Sequence, residues 1–374
     1  MTGPEISSAQ ATTFEIEGRQ MLSFAGCNYL ALAHHPRVLT AASEAITRFG
    51  LSTSASRETS GNTILHAILE REVAEATRTG DALIVPDGYT ANLAAAQTLA
   101  RLGVQHAIID ERAHRSLFDA AAAAGLTTHR YATADSSAAA AWLTTLSPSE
   151  SVIFTDGVFT ADGRIAPLVE LSGLGCRLLI DDCHGFGLLG PAGAGTHALL
   201  GVKINGNLIL TSTLAKGIGC AGGFVAGSTD FIEAARRFAS AYICTTPTAP
   251  PLIAAAIEAV RIARSDDERR TRLASNSRRL AQILAARGLG SFESQTPIFA
   301  FSPGDEIQMR ALAGHLAGLG LFVPLIAYPG GPCPLYFRAS VTSEHNDEDL
   351  ACLDEALGSG LYAPVPSGVL SQHA

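Results

Sequence analysis

From residue 64 to residue 216 the chain alternates helical periodicity with short apolar runs that end in polar or titratable residues. ILHAILEREVAEATR (64–78) places its apolar residues at helical spacing, and Gly80 follows. DALIVPDG reads as an apolar strand ending at Pro86, and YTANLAAAQTLARLG as a helix closed by Gly103. HAIIDERAH reads as a strand and SLFDAAAAAG as a helix closed by Gly125. SVIFTDGVFT, CRLLIDDCHG and NLILTSTLAK read as further strands. Short buried strands separated by helices specify an α/β fold with a mostly parallel, doubly wound sheet. Open parallel sheets bind ligands beyond the carboxyl ends of their strands. The residues expected there are Asp87 to Tyr89, Asp110 to His114, Thr155 to Asp162, Asp181 to His184 and Thr211 to Lys216. One edge of the sheet thus collects the titratable groups.

The 374 residues, 47% of them hydrophobic, suffice for a large core and two unequal domains. We expect an N-terminal segment over 1–34, a large domain over 35–245, and a linker helix with a smaller α+β domain over 246–374. The latter begins with one broken or two long helices in PTAPPLIAAAIEAVRIARSDDERRTRLASNSRRLAQILAARG, and its last dozen residues are expected to fray. The alanine runs at 120–124 and 138–141 read as helix surfaces or loops. No apolar run reaches the roughly 18 residues that span a bilayer, and the N-terminus lacks the pattern of a secretion signal. Seven scattered cysteines without CxxC spacing fit reduced thiols in a cytoplasm, not a disulfide framework or a zinc site. A net charge of −9 with no basic block argues against nucleic acid or a membrane surface as partner.

The chain has 24 arginines and only two lysines, Lys203 and Lys216. Lys216 lies in TSTLAKGIGCAGGFVAG, where a charge is costly unless it is neutralised or paired. In IDDCHG a strand ends in Asp181, with His184 three residues on. Alone, that pair reads as a capped turn with a satisfied histidine, or as two ligands of a metal site for which no third ligand is evident. Lys216 adds a third reading. A Schiff-base lysine, a carboxylate for a pyridinium nitrogen and a helix start for a phosphate are what proteins supply to pyridoxal phosphate. PDGYTANLAAA offers such a helix start, although a glycine turn before a helix is common. His114 can cap a helix, pack in a core or lie flat over the cofactor ring.

These motifs carry a resemblance. CNYLALAHHP, SRETSGNTILHAILE, DGYTAN, DERAHRSL, TDGVFTADGRIAPL, IDDCHGFGLLGPAGAG, TSTLAKGIGCAGG and FRASVTSEHNDEDL follow one another in the order and spacing of the α-oxoamine synthases. These are a branch of the fold-type-I pyridoxal-phosphate enzymes with the aspartate-aminotransferase-like fold, and the resemblance covers almost the whole chain. It implies that Lys216 forms the Schiff base and later exchanges a proton at the substrate α-carbon. Asp181 would pair with the pyridinium nitrogen, His184 would bond the phenolic oxygen and His114 would stack on the ring. Gly88 and Tyr89 would offer backbone donors to the phosphate, Thr213 a hydroxyl, and Thr160 would lie near the phenolic oxygen. Arg338 would hold the amino-acid carboxylate, with Asn28 also on the substrate side, and His345 would be structural. The resemblance further implies a homodimer, an amino acid and an acyl-CoA as substrates, and decarboxylative condensation to an α-amino ketone.

Departures from the family pattern fall on the substrate side. Cys27 stands where asparagine is usual, STSASR (52–57) replaces a GSGGSR-type hairpin, and AYPGGPCP (327–334) replaces a PTVP-like turn. Asp87 replaces the serine before Gly-Tyr, and Ala215 the serine before the lysine. A second reading therefore stays open, an aminotransferase or other carbanion enzyme that uses no thioester.

Overall fold

The computed structural model describes residues 3–292, 295–328, 331 and 333–358. The last dozen residues and part of the AYPGGPCP turn lie outside them. The chain divides into two compact units: residues 35–159 with 165–267, and residues 1–34 with 160–164 and 268 onward.

The N-terminal residues form three antiparallel strands, β1 (Ile6–Ala9), β2 (Thr13–Ile16) and β3 (Arg19–Ser23). The larger unit holds a seven-stranded sheet of β4 (Asp81–Val85), β5 (His106–Asp110), β6 (Thr127–Tyr131), β7 (Ser151–Asp156), β8 (Arg177–Asp181), β9 (Leu208–Thr213) and β10 (Gly223–Gly227). Its order is β4-β10-β9-β8-β7-β5-β6, parallel except at β10, which runs antiparallel to both neighbours. The mostly parallel α/β architecture expected from the sequence is therefore present. Strands β7 and β9 are buried at every residue, as sheets covered by helices on both faces require.

The helix Gly88–Arg101 buries Ala91, Ala94, Ala95, Ala96 and Leu99 in the same core as Leu83, Phe154, Leu179 and Ile209. Alanine lets a helix approach a sheet closely, and the two alanine runs, expected as helix surfaces or loops, are helical with part of each run buried. The run 138–141 lies wholly inside the helix Ser136–Trp142 and residues 120–123 lie inside Arg115–Ala123, with Ala120, Ala121 and Ala139 completely buried. The segment after residue 245 forms two helices, Pro250–Ser265 and Asp267–Ala286. No helix among the described residues is long and apolar enough to cross a membrane.

In the smaller unit β12 (Leu321–Phe322) pairs in parallel with β3. A second sheet has the order β11 (Ile298–Phe301), β14 (Tyr336–Ser340), β13 (Leu325–Ile326), all antiparallel. Buried His345 joins this unit internally. Its Nδ1 accepts the Thr342 N–H at 3.0 Å, so Nε2 carries the proton and donates to Ser23 O at 3.0 Å.

Candidate active site

Strands β5, β7, β8 and β9 end at the same edge, and the sequence-predicted residues of the larger unit lie there. Asp156, Asp181 and Thr211 are register neighbours across β7, β8 and β9, so their side chains share one face. Two carboxyl groups and a hydroxyl thus stand side by side at the sheet edge.

Lys216 sits in the connection between β9 and β10. That connection folds back through Leu214 N to Gly222 O, Cys220 N to Leu214 O (both 2.8 Å) and Gly219 N to Lys216 O (2.9 Å). Leu214 and Ile218 are fully buried on either side, while Lys216 is half-buried. The small residues have a steric reason: a Cβ at Gly217 would stand 2.9 Å from Phe186 O, and one at Gly223 would overlap the Asp87 carbonyl. Lys216 Nζ lies 2.8 Å from His184 Nε2, which supplies the partner that the charge in this apolar run demands. His184 itself is buried.

Asp181 accepts Asn92 Nδ2–H at 2.7 Å on one oxygen and Cys183 N–H at 3.1 Å on the other. Asn92 also reaches Ser116 Oγ at 2.8 Å and Thr211 Oγ1 at 2.5 Å, and Ser116 Oγ lies 2.6 Å from His114 Nδ1. His114 is the N-cap of the helix Arg115–Ala123, and burial pushes its pKa down. Its backbone N–H donates to Asp156 Oδ1 at 3.0 Å, while Asp156 Oδ2 has no hydrogen-bond partner among the described residues. Burial, then the neighbouring Asp181, push the Asp156 carboxyl well above the usual range. Sequence reasoning assigned no role to Asn92, Ser116, Thr211 or Asp156. For Asn92 the available signal was a polar residue among the alanines of a helix that packs on the sheet.

Gly88 and Tyr89 open the helix after β4, where backbone N–H groups lack intrahelical partners. Asp87 turns its carboxylate onto Thr90 N–H at 2.7 Å as the N-cap. A Cβ at Gly88 would stand 3.0 Å from Thr213 Cβ and 3.1 Å from Cys183 Sγ, so glycine alone fits without displacing them. The Thr213 hydroxyl donates to Gly222 O at 3.1 Å and accepts Ala215 N–H at 3.1 Å. The Tyr89 side chain is exposed and donates to Asp119.

The remaining predicted residues belong to the smaller unit. Arg338 Nε donates to Thr160 O at 2.8 Å, and its guanidinium also hydrogen-bonds Tyr29 and Cys27. Tyr29 is fully buried, and that burial raises its pKa well above the ordinary phenol value. Asn28 Oδ1 accepts Ala33 N–H at 3.3 Å and so caps a turn. Among the described residues no group of three His, Cys, Asp or Glu side chains could hold a metal ion.

Residues 19–357 match the family described as aminotransferase class I and II. The chain belongs to the aminotransferase class I and II family. Within the family it is similar to the 8-amino-7-oxononanoate synthase of Hahella chejuensis, 37% identical over 94% of this chain and 90% of the relative. The synthase of the same name from Pseudomonas aeruginosa is 35% identical over 99% of this chain and 92% of its own. Among solved structures, the serine palmitoyltransferase of Sphingomonas wittichii superposes with a TM-score of 0.88 at 29% identity, over 94% of this chain and 89% of that one. A variant serine palmitoyltransferase from S. paucimobilis, with a PLP–myriocin aldimine bound, gives 0.89 at 26% identity over 94% and 91%.

Proposed function

We propose that the chain is a pyridoxal-phosphate-dependent acyltransferase that condenses an amino acid with an acyl thioester, releasing the carboxylate and leaving an α-amino ketone. The observation that carries this reading is Lys216, folded into the β9–β10 connection at the strand edge that holds Asp181 and bonded to buried His184. The two 8-amino-7-oxononanoate synthases, similar over almost their whole length, favour the thioester reaction over transamination.

The donor set fits the cofactor. It comprises a primary amine, a buried carboxylate with both oxygens already oriented, and a tight glycine turn opening a helix whose first N–H groups face outward along the axis. Pyridoxal phosphate, when bound, supplies an aldehyde and a pyridine ring that draws electrons from the substrate α-carbon. Lys216 would bond the aldehyde and later hold or move the proton at the α-carbon. Asp181 would accept the ring N–H, His184 would bond the phenolic oxygen, and His114 would cover the ring. Gly88 and Tyr89 N–H groups would take the phosphate, with Thr213 beside it. Thr160 would lie near the phenolic oxygen, while Arg338 and Asn28 would receive the amino acid, a carboxylate suiting the guanidinium fork. We further infer an acyl-CoA donor, a homodimer and a cytoplasmic setting; the seven free cysteines agree with the last.

Borohydride reduction of the cofactor-loaded protein should leave the cofactor covalently attached to the peptide that contains Lys216, as read by mass spectrometry. Amino acids and acyl-CoAs of varied length, screened for thiol release, should give CoA only when both substrates are present. Attachment at another residue, or keto-acid formation without CoA, overturns the reading.

A further inference from the structure

One fully buried side chain at the strand edge has no part in the chemistry above. Asn92 projects from the helix Gly88–Arg101 and contacts groups from three other elements, Asp181 of β8, Thr211 of β9 and Ser116 of the helix Arg115–Ala123. An amide has two N–H hydrogens and one carbonyl oxygen, and the partners decide which end goes where. The Asp181 carboxylate offers only lone pairs, so Nδ2 must face it, at 2.7 Å. The second Nδ2 hydrogen then goes to Ser116 Oγ at 2.8 Å, and Oδ1 takes the Thr211 hydroxyl hydrogen at 2.5 Å. Reversing the amide would place its oxygen against the carboxylate and its hydrogens against the Thr211 donor.

That choice propagates. Ser116 Oγ, already accepting from Asn92, has one hydrogen to give, and His114 Nδ1 lies 2.6 Å away. The Ser116 backbone N–H also points to the same nitrogen, at 3.3 Å. Two donors converge on His114 Nδ1, which must present its lone pair. We propose that Asn92 is a positioning residue whose amide orients Asp181 and, through Ser116, holds His114 as a neutral imidazole with its proton on Nε2. Burial lowers the pKa of His114, in agreement. The arrangement keeps a second cation away from Lys216 and leaves Nε2–H as a donor. Its bearing on catalysis rests on the pyridoxal-phosphate reading of the site, whereas the tautomer does not.

The test is nitrogen-15 NMR of histidine-labelled protein, with and without cofactor, the His114 signals being assigned by their loss in His114→Asn. In the parent protein at neutral pH, Nδ1 should give the signal of an unprotonated ring nitrogen and Nε2 that of a protonated one. Ser116→Ala removes the hydroxyl donor but keeps the backbone N–H, so Nδ1 should stay unprotonated while its signal shifts toward that of a less strongly hydrogen-bonded ring nitrogen. Asn92→Ala should do the same and weaken cofactor binding by about tenfold or more, the usual effect of losing a hydrogen bond to a charged group. If Asn92→Ala does not fold, Thr211→Val removes the donor to Oδ1, loosens the amide that Asp181 still orients, and should shift the His114 signals in the same direction. A protonated Nδ1 in the parent protein, or His114 signals that ignore Ser116→Ala, overturns the inference. If Lys216 is labelled by borohydride while His114 is insensitive, the inference alone fails. If the His114 signals respond to Ser116→Ala while Lys216 is never labelled, the functional reading alone fails.

Discussion

The Asp182 carboxylate is clasped by Thr196, whose backbone N–H donates to one oxygen at 2.9 Å and whose hydroxyl donates to the other. Three glycines from different loops close around it. A Cβ at Gly157 would stand 2.6 Å from Oδ1, and one at Gly185 or Gly195 would overlap the carboxylate. Asp182 O also accepts Gly185 N–H and Phe186 N–H, at 3.1 and 2.9 Å, so the clasp fixes the turn that carries His184. Gly185→Ala should therefore destabilise the protein by more than about 3 kcal/mol or abolish soluble expression, because backbone and a buried carboxylate must both move. Gly314→Ala is the opposite case. Its Cβ meets nothing within 4 Å inside the helix Glu306–Gly318, and it should stabilise by about 0.5–1 kcal/mol in thermal or denaturant unfolding.

Asp182 also predicts a pH dependence. Burial is the largest influence on its carboxyl and pushes it up to about 7, against an ordinary value of 3.8. The folded state therefore binds the proton more tightly than the unfolded chain does. The resulting stabilisation is fully present below about pH 4, declines as the pH rises and is gone above about pH 7. Asp182→Asn cannot ionise, so its melting temperature should fall less than that of the parent between pH 4 and pH 7. It should still be lower at pH 5, because the amide nitrogen cannot accept from Thr196. Parallel curves for the two proteins across that range would rule out the titration of Asp182.

What local pattern encodes was readable in the chain. The strand ends after LLI and LIL, the isolated Lys216 and the glycine turn before the helix Gly88–Arg101 all follow from spacing and composition. The structure puts Lys216 and His184 in contact, as a buried or half-buried charge needs. Long-range choices were not readable. Asn92 meets Asp181 across 89 residues, and nothing near either residue announces the pairing. The antiparallel insertion of β10 between β4 and β9 is equally silent, because GFVAG has the apolar, small composition of any buried strand. Strands β1 to β3 escaped notice because their burial is slight and their alternation weak.

Glu70 anchors one of the segments that depart from the family pattern. Arg57, at the end of STSASR, is buried and pairs with Glu70 through both terminal nitrogens, at 2.5 and 3.3 Å. Glu70 also accepts Ile84 N–H at 3.1 Å and Arg236 at 3.3 Å, and Arg236 reaches Asp81 at 2.6 Å. Removing one partner of a buried pair strands the other, so Glu70→Ala should cost about 3–5 kcal/mol. The double variant Arg57→Met with Glu70→Leu should lose clearly less than the sum of the two single changes. Additive losses in denaturant titrations would show that the pair is not coupled.

Asp87 presents the sharpest conflict between helix stability and anion binding at the candidate site. As N-cap it satisfies Thr90 N–H at 2.7 Å, and a negative charge there suits the helix dipole. The same charge stands one residue before Gly88, where the proposed phosphate would bind, and repels it. Serine keeps the capping oxygen and removes the charge. Asp87→Ser should therefore bind pyridoxal phosphate about two- to fivefold more tightly at low ionic strength, with little change in melting temperature. Because Asp87 is exposed, salt screens the repulsion and the advantage should shrink toward nothing near 1 M salt. Titration of cofactor-free parent and variant at two salt concentrations measures both quantities. An affinity that falls in the variant, or a gain that persists at high salt, would mean that Asp87 acts through the local backbone and not through its charge.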